Sequence, residues 1–368
     1  MFKFDRNNNL VNISNSLLNY FTHISLNQTH AKLDEILAKK NYKKIVVMLF
    51  DGLGTSIREK HLSKNDFLRK KERFDITSVF PPTTVAATTS FLSGLYPNQS
   101  GWLGWQQYFK TQNVIVEMFT NVIPNPNNRV KLAPPYLSSL YCSYTSIIDL
   151  INENSNTKAY SLYPDYINKD GAKSFDDFFI LADKMMKNDE SHFIYMYWTE
   201  PDSLIHEYGT DHMIVKNKVK RINQKVCELA KNNKDNLIIV LADHSLVNTK
   251  FFYVFEHDDF KDCLSSITSL DSRSSFFHVK QDKIQDFPIL FNKYYSKYFV
   301  LKTKQEIIDE KLFGEGTNHP LFEDFLGDFM ATSISEYGFT NDLDQPLLGA
   351  HAGSVKEESI ISVSIIND

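Results

Sequence analysis

Three aspartates and three histidines in this chain stand next to apolar runs. Asp51-Gly52 follows IVVMLF, and Asp243-His244 follows NLIIVLA. Asp202 and His206 lie four apart in TEPDSLIHEYG, directly after HFIYMYW, and His351 sits in LLGAHAGS just before the last apolar run. Singly these are weak signals, because Asp-Gly is a common turn and a lone histidine is more often a hydrogen-bonded structural residue. As a set they supply six oxygen and nitrogen donors, enough for two borderline-hard divalent ions. Asp at i and His at i+4 can also share one face of a helical turn. Two ions held about 3.5–4 Å apart suit phosphoryl transfer, one activating a nucleophile and the other stabilising the leaving oxygen.

That chemistry needs a nucleophile, and the stretch FPPTTVAATTSFLSGLYP over residues 80–97 offers hydroxyls. Pro81-Pro82 imposes an extended approach. VAATTSFLSG then reads as a helix ending near Gly94. Thr83 or Thr84 falls at its start, where backbone N–H groups favour an anion and a hydroxyl can attack phosphorus.

The elements that must gather these residues are short apolar runs: 44–50, 158–163, 192–198, 236–242, 328–334 and 359–366. Their hydrophobicity is continuous rather than alternating, which predicts strands covered on both faces, as in a parallel sheet. Helical patterns over 146–154, 176–188, 213–232 and 304–312 lie between them. This alternation predicts an α/β fold with helices on both sheet faces. Ligands in such folds collect beyond the carboxyl ends of the strands, where the aspartates and histidines stand. Residues 98–141, with Trp102, Trp105 and the run PNPNN, and residues 251–325 interrupt the rhythm. They read as loops or a small cap on a single domain spanning 1–368, with the cap or insertion around 251–325.

A chain of 368 residues that is 42% hydrophobic and 23% charged can bury a substantial core. Forty basic against 45 acidic residues give no bulk reason to bind nucleic acid. The short basic runs KNYKK (40–44) and LRKKER (68–73) read as solvated faces. Three cysteines without CxxC spacing argue against a disulfide framework and for a reducing compartment. The first residues lack the pattern of a secretion signal, and no apolar run is long enough to span a bilayer. The expectation is a cytoplasmic protein acting on a small phosphorylated substrate, with no nucleic-acid polymer and no membrane as partner.

Taken together, the chain resembles the alkaline phosphatase superfamily, in its type I phosphodiesterase/nucleotide pyrophosphatase branch. VMLFDGLG is similar to the family's strand-Asp-Gly segment. FPPTTVAATTSFLSGLYP matches in length the Phe-Pro-x-x-Thr segment that ends in Thr-Gly-Leu-Tyr-Pro, and in that register the nucleophile is Thr84 rather than Thr83. The Asp-x-x-x-His pair matches Asp202 and His206, the Ala-Asp-His segment matches LADHS, and the late His-Gly-Gly-like segment matches HAGS. The resemblance implies an alkaline-phosphatase-like three-layer α/β/α sandwich around a mostly parallel sheet. It implies one metal site of Asp202, His206 and His351, and a second of Asp51, Asp243 and His244 with the Thr84 oxygen. Zinc is the usual ion in the family, with manganese in some relatives. Thr84 would attack phosphorus, an alcohol or phosphate would leave, and water would cleave the phospho-threonine intermediate.

The chain departs from the pattern at Ala87, where nucleotide pyrophosphatases place an asparagine that donates to a phosphoryl oxygen. Thr88 or Thr89 is a candidate substitute donor, and each reads equally well as an ordinary helix residue. Arg273 is a candidate for the arginine with which phosphomonoesterases of the superfamily clamp a terminal phosphate. Trp102, Trp105 and Tyr108 are candidates to stack on a substrate, although a packed loop anchor is their commoner role. His212, His257, His278 and His319 have no motif partner and read as structural. Phosphomonoesterase, phosphonate-cleaving or mutase-like chemistry, and a silent ligand-binding member, are the alternatives.

Overall fold

Six strands form the central sheet: β1 (Lys44–Phe50), β2 (Glu72–Thr77), β3 (Lys158–Leu162), β4 (His192–Trp198), β5 (Leu237–Leu241) and β6 (Ile360–Ile366). A computed structural model describes residues 1–124, 129–188, 190, 192–343 and 347–367 of the chain. Most of the PNPNN run lies outside the described residues. The sheet order is β2-β6-β5-β1-β4-β3, with β1 parallel to both β4 and β5 and β6 antiparallel to β5 and β2. β4 is buried along its whole length and β1 along nearly all of it, which is why their sequences lack polar alternation.

Register brings the strand ends together. Phe50 pairs with Trp198 and Leu49 with Leu241, so Asp51, the loop after Trp198 and Asp243 leave the sheet at one edge. β6 runs the opposite way with Ile360 opposite Thr77, so the loop before it arrives where β2 ends. Both the nucleophile segment and the His351 segment are thereby delivered to the same place.

Helices that cover the sheet include α1 (Leu10–Thr22), α2 (Thr84–Ser93), α3 (Ile147–Asn154), α4 (Phe175–Met186), α5 (Asp202–Tyr208) and α6 (Met213–Asn232). Alternation along β4 assigns their sides. Phe193 and Tyr195 meet Phe21 near the end of α1 and Phe91 of α2, whereas Trp198 meets Phe175 and Phe178 of α4. The result is the expected three-layer sandwich.

The two irregular regions join each other. Strands Phe299–Thr303, Phe329–Ser333, Ser274–Phe277, Ser269–Leu270, Gln106–Phe109 and Val114–Glu117 form, in that order, a second sheet of antiparallel pairs. The run over 328–334 belongs to this sheet and not to the parallel one. Its continuous hydrophobicity has a different source: Met330 faces one apolar cluster with Phe276 and Phe313, while Phe329 and Ala331 face another with Phe277 and Phe287. Burial on both faces produces the same signature in either kind of sheet. LRKKER is only partly a solvated face, since Leu68 is fully buried and the run ends in β2. The alternating, charged β2 carries too little apolar signal to read as a central strand.

Candidate metal centre and nucleophile

β1 ends in Asp51, and Gly52 turns the chain at φ +72°. A Cβ on Gly52 would lie 2.9 Å from the Asp202 Cβ, so only glycine lets these two loops approach. The backbone joins them as well, with the Asp202 N–H donating to the Asp51 carbonyl at 3.0 Å. Asp202 is the first residue of α5 and His206 lies one turn on, with Nε2 3.2 Å from Asp202 Oδ2. The Asp243 carboxylate accepts from the backbone of Gly52 (3.1 Å) and of His244 (2.9 Å), both on Oδ1.

Thr84 opens α2, and its Oγ1 lies 3.0 Å from His244 Nε2 and 3.4 Å from each oxygen of Asp51. The hydroxyl of Tyr197, on β4, donates to Asp51 Oδ2. His206 Nδ1 contacts the Gly349 carbonyl at 2.8 Å and His244 Nδ1 the Ser245 carbonyl at 3.2 Å. Each contact fixes its ring with Nε2 turned towards the carboxylates, as a metal-ligating histidine requires.

Donor atoms of Asp202, His206 and His351 lie within 4.8 Å of one another, and so do those of Asp51, Asp202 and His244. Asp202 thus stands between the two groups, while Asp243 approaches the second through Oδ2, 3.4 Å from His244 Nε2. Asp202 Oδ1, Asp243 Oδ2 and His351 Nδ1 are buried without a hydrogen bond among the described residues. Such orphaned acceptors are costly unless something electropositive meets them.

The electrostatics point the same way. Burial, and then the charges of Asp243 and Asp202, push the Asp51 carboxyl well above its usual range, and burial pushes Asp243 up too. Burial would also raise Asp202, but His206 and His351 hold it well below the usual range. Asp202 in turn overcomes the burial of His206 and raises that imidazole to about 9, whereas burial and His244 push His351 far down. Three carboxylates and three imidazoles in one buried cluster cannot all hold their preferred charge. Divalent cations relieve that conflict, and carboxylate with neutral imidazole is a fitting donor set for zinc or manganese.

Thr84, Asp202, His206 and His351 line a cavity of about 440 Å³, with Asp271 and Trp105 of the second-sheet side sharing its wall. Other sequence candidates lie elsewhere. Thr88 Oγ1 donates to the Thr84 carbonyl at 2.6 Å, satisfied within its own helix. Trp102 donates its indole N–H to the Cys142 carbonyl at 2.7 Å and does not line the cavity. Ala87 is fully buried in the main core. Arg273 is fully buried and bidentate to Glu358, so it is no phosphate clamp. His212 caps α6, His257 stacks on Tyr294, His278 contacts Ser269 Oγ, and His319 packs beside Phe325. Sequence reasoning missed Tyr197 and Asp271. A hydroxyl within an otherwise apolar buried strand was the signal for Tyr197, whereas DSRSS around Asp271 is ordinary turn composition.

A family model described as type I phosphodiesterase / nucleotide pyrophosphatase matches residues 45–286, well over half of the chain. The fold is similar to that of human ectonucleotide pyrophosphatase/phosphodiesterase 5, at TM-score 0.65 and 15% identity over 88% of this chain and 87% of that one. The murine counterpart gives TM-score 0.63 and 15% identity over 87% of each chain, and it is also known as an inactive variant in complex with AMP. Phosphonoacetate hydrolase from Sinorhizobium meliloti 1021, in complex with phosphonoacetate, gives TM-score 0.63 and 13% identity over 88% of this chain and 89% of that one. No curated protein sequence matches significantly.

Proposed function

The chain belongs to the type I phosphodiesterase / nucleotide pyrophosphatase family of metal-dependent phosphoric ester hydrolases, and from that premise we propose that it cleaves phosphodiester or pyrophosphate bonds through a phospho-threonine on Thr84. The observation that carries this reading is the Thr84 hydroxyl itself. It stands at the start of a ten-residue helix, 3.0 Å from His244 Nε2 and 3.4 Å from both Asp51 oxygens. Asp202, His206 and His351 would hold one ion, and Asp51, Asp243 and His244 with Thr84 the other.

 

When bound, the ions neutralise charge on the phosphoryl oxygens and lower the pKa of a coordinated hydroxyl or water. Zinc is the ion we assign from the resemblance, and manganese fits the same donor set. The chain's own residues do the rest. Asp51, steadied by Tyr197, and His244 fix the Thr84 oxygen for in-line attack. The bond from phosphorus to the leaving oxygen breaks as the Thr84–phosphorus bond forms. Water then cleaves the phospho-threonine and restores the hydroxyl. The first turn of a helix has N–H groups without an intrahelical acceptor, and those of α2, beside Thr84, would serve a phosphoryl oxygen.

Arg273, sealed against Glu358, removes the best sequence candidate for a terminal-phosphate clamp, which favours diesters over monoesters. Complexes of similarly folded proteins with AMP and with phosphonoacetate support a small phosphorylated or phosphonylated substrate. The three cysteines are free, in keeping with a reducing compartment, and no described helix is long and apolar enough to cross a membrane. The test is Thr84→Ala, assayed with an aryl phosphodiester after zinc loading. We expect a loss of at least about a thousandfold in kcat, the scale of a missing nucleophile. Undiminished hydrolysis would overturn the assignment.

A further inference from the structure

Asp271 has no place in the chemistry described so far, yet it faces the same cavity as Thr84, Asp202, His206 and His351. Its Oδ2 accepts from the Thr83 hydroxyl at 2.7 Å, and its Oδ1 accepts from the Ser272 N–H at 2.7 Å. Thr83 is the N-cap of α2, but its side chain makes no capping bond, because the hydroxyl is turned to Asp271 instead. The carboxylate is therefore fixed one residue from the nucleophile. Leu270, just before it, is buried at φ +81°, a conformation a bulky residue adopts only when its surroundings enforce it.

Apart from the metal site, the cavity offers little positive charge to offset this carboxylate. Arg129 is the one lysine or arginine among the described residues lining it, and Arg129 is paired with the buried Glu117. Asp271 and Asp342 add negative charge beyond the metal-ligand group.

We propose that Asp271 is a specificity-determining residue, which selects phosphoryl groups carrying one negative charge, as in a diester, over the dianion of a monoester. This rests on the phosphoesterase reading given above. A second charge on the substrate would enter the cavity whose wall carries this carboxylate, where like charges repel. A diester replaces that charged oxygen with an ester oxygen and escapes the repulsion.

The test compares wild type with Asp271→Asn, which keeps the hydrogen-bonding shape and removes the charge. Zinc-loaded proteins are assayed with an aryl phosphomonoester and the matching aryl phosphodiester, and inorganic phosphate binding is measured by calorimetry. The expected result is a rise of about tenfold or more in the monoester-to-diester ratio of kcat/KM, with phosphate bound more tightly by a similar factor. Thr83→Val keeps the charge, so its ratio should stay within about twofold of wild type. An unchanged ratio in Asp271→Asn, whether both rates fall or neither does, overturns the proposal and leaves the phosphoesterase reading standing. Wild type that cleaves neither ester overturns the phosphoesterase reading and this proposal with it. Should the asparagine variant fail to fold, wild type decides by calorimetry: it must bind dimethyl phosphate more tightly than phosphate dianion, and the reverse order overturns the proposal.

Discussion

The hydroxyl of Tyr197 is a small group with a large task. It donates to Asp51 Oδ2 from a fully buried strand, so one oxygen of a metal-ligand candidate is held while the carboxylate faces Thr84 and His244. Groups of this kind, which touch a ligand but not the ion, typically account for 10–100-fold in metal affinity, roughly. Tyr197→Phe should therefore weaken zinc binding by about 10–100-fold while leaving the fold intact, as read by titration against a chelating indicator and by circular dichroism. Unchanged affinity would reduce Tyr197 to a packing residue. The ligand candidates themselves were legible because strand-end aspartates and histidines are rare in combination. Tyr197 and Asp271 were not, because their roles depend on which strand neighbours which, and no spacing in the chain encodes that.

At the level of elements, the segment carrying His351 is held from two sides. The Ala352 N–H donates to the Pro82 carbonyl at 3.0 Å, and the Ala352 carbonyl accepts from Ser274 Oγ at 2.5 Å. The loop before the nucleophile, the second sheet and a metal-ligand candidate are thus tied at one residue. Ala352 sits at φ +77°, where a side chain costs roughly 1–2 kcal/mol and glycine costs almost nothing. Part of that gain is offset by the greater freedom of glycine in the unfolded chain. Ala352→Gly should accordingly raise stability by up to about 1 kcal/mol in chemical denaturation of the metal-free protein. A fall in stability would mean that the alanine side chain contributes packing that outweighs the strain. The central strands were readable because burial on both faces leaves continuous apolar runs. The same signature misassigned residues 328–334, since a strand between two apolar clusters of the second sheet reads identically.

Across the whole molecule, the two sheets are bolted together by Arg273 and Glu358, both with fully buried side chains. Arg273 extends from the second sheet and donates at 2.9 and 3.1 Å to Glu358, which directly precedes β6 by two residues. Two backbone carbonyls, of Ser335 and Tyr337, accept two more of the guanidinium donors. Removing one partner leaves the other charge buried and uncompensated, a loss of about 3–5 kcal/mol. Arg273→Ala should show that loss in chemical denaturation, whereas Arg273→Met combined with Glu358→Met should recover most of it. Equal losses in both variants would mean that shape, not charge, joins the sheets. This union was invisible in the sequence because its halves come from segments more than 80 residues apart.

The position of β6 has a consequence in time. It is made after every other strand of the two sheets, yet it lies between β5 and β2, which are made long before it. Until it arrives, those two strands face a gap one strand wide, and the segment bearing His351 lacks the strand that continues it into the sheet. The growing chain therefore carries its nucleophile and most of its ligands in a sheet that is complete only once β6 is made, and the catalytic cluster can close only then.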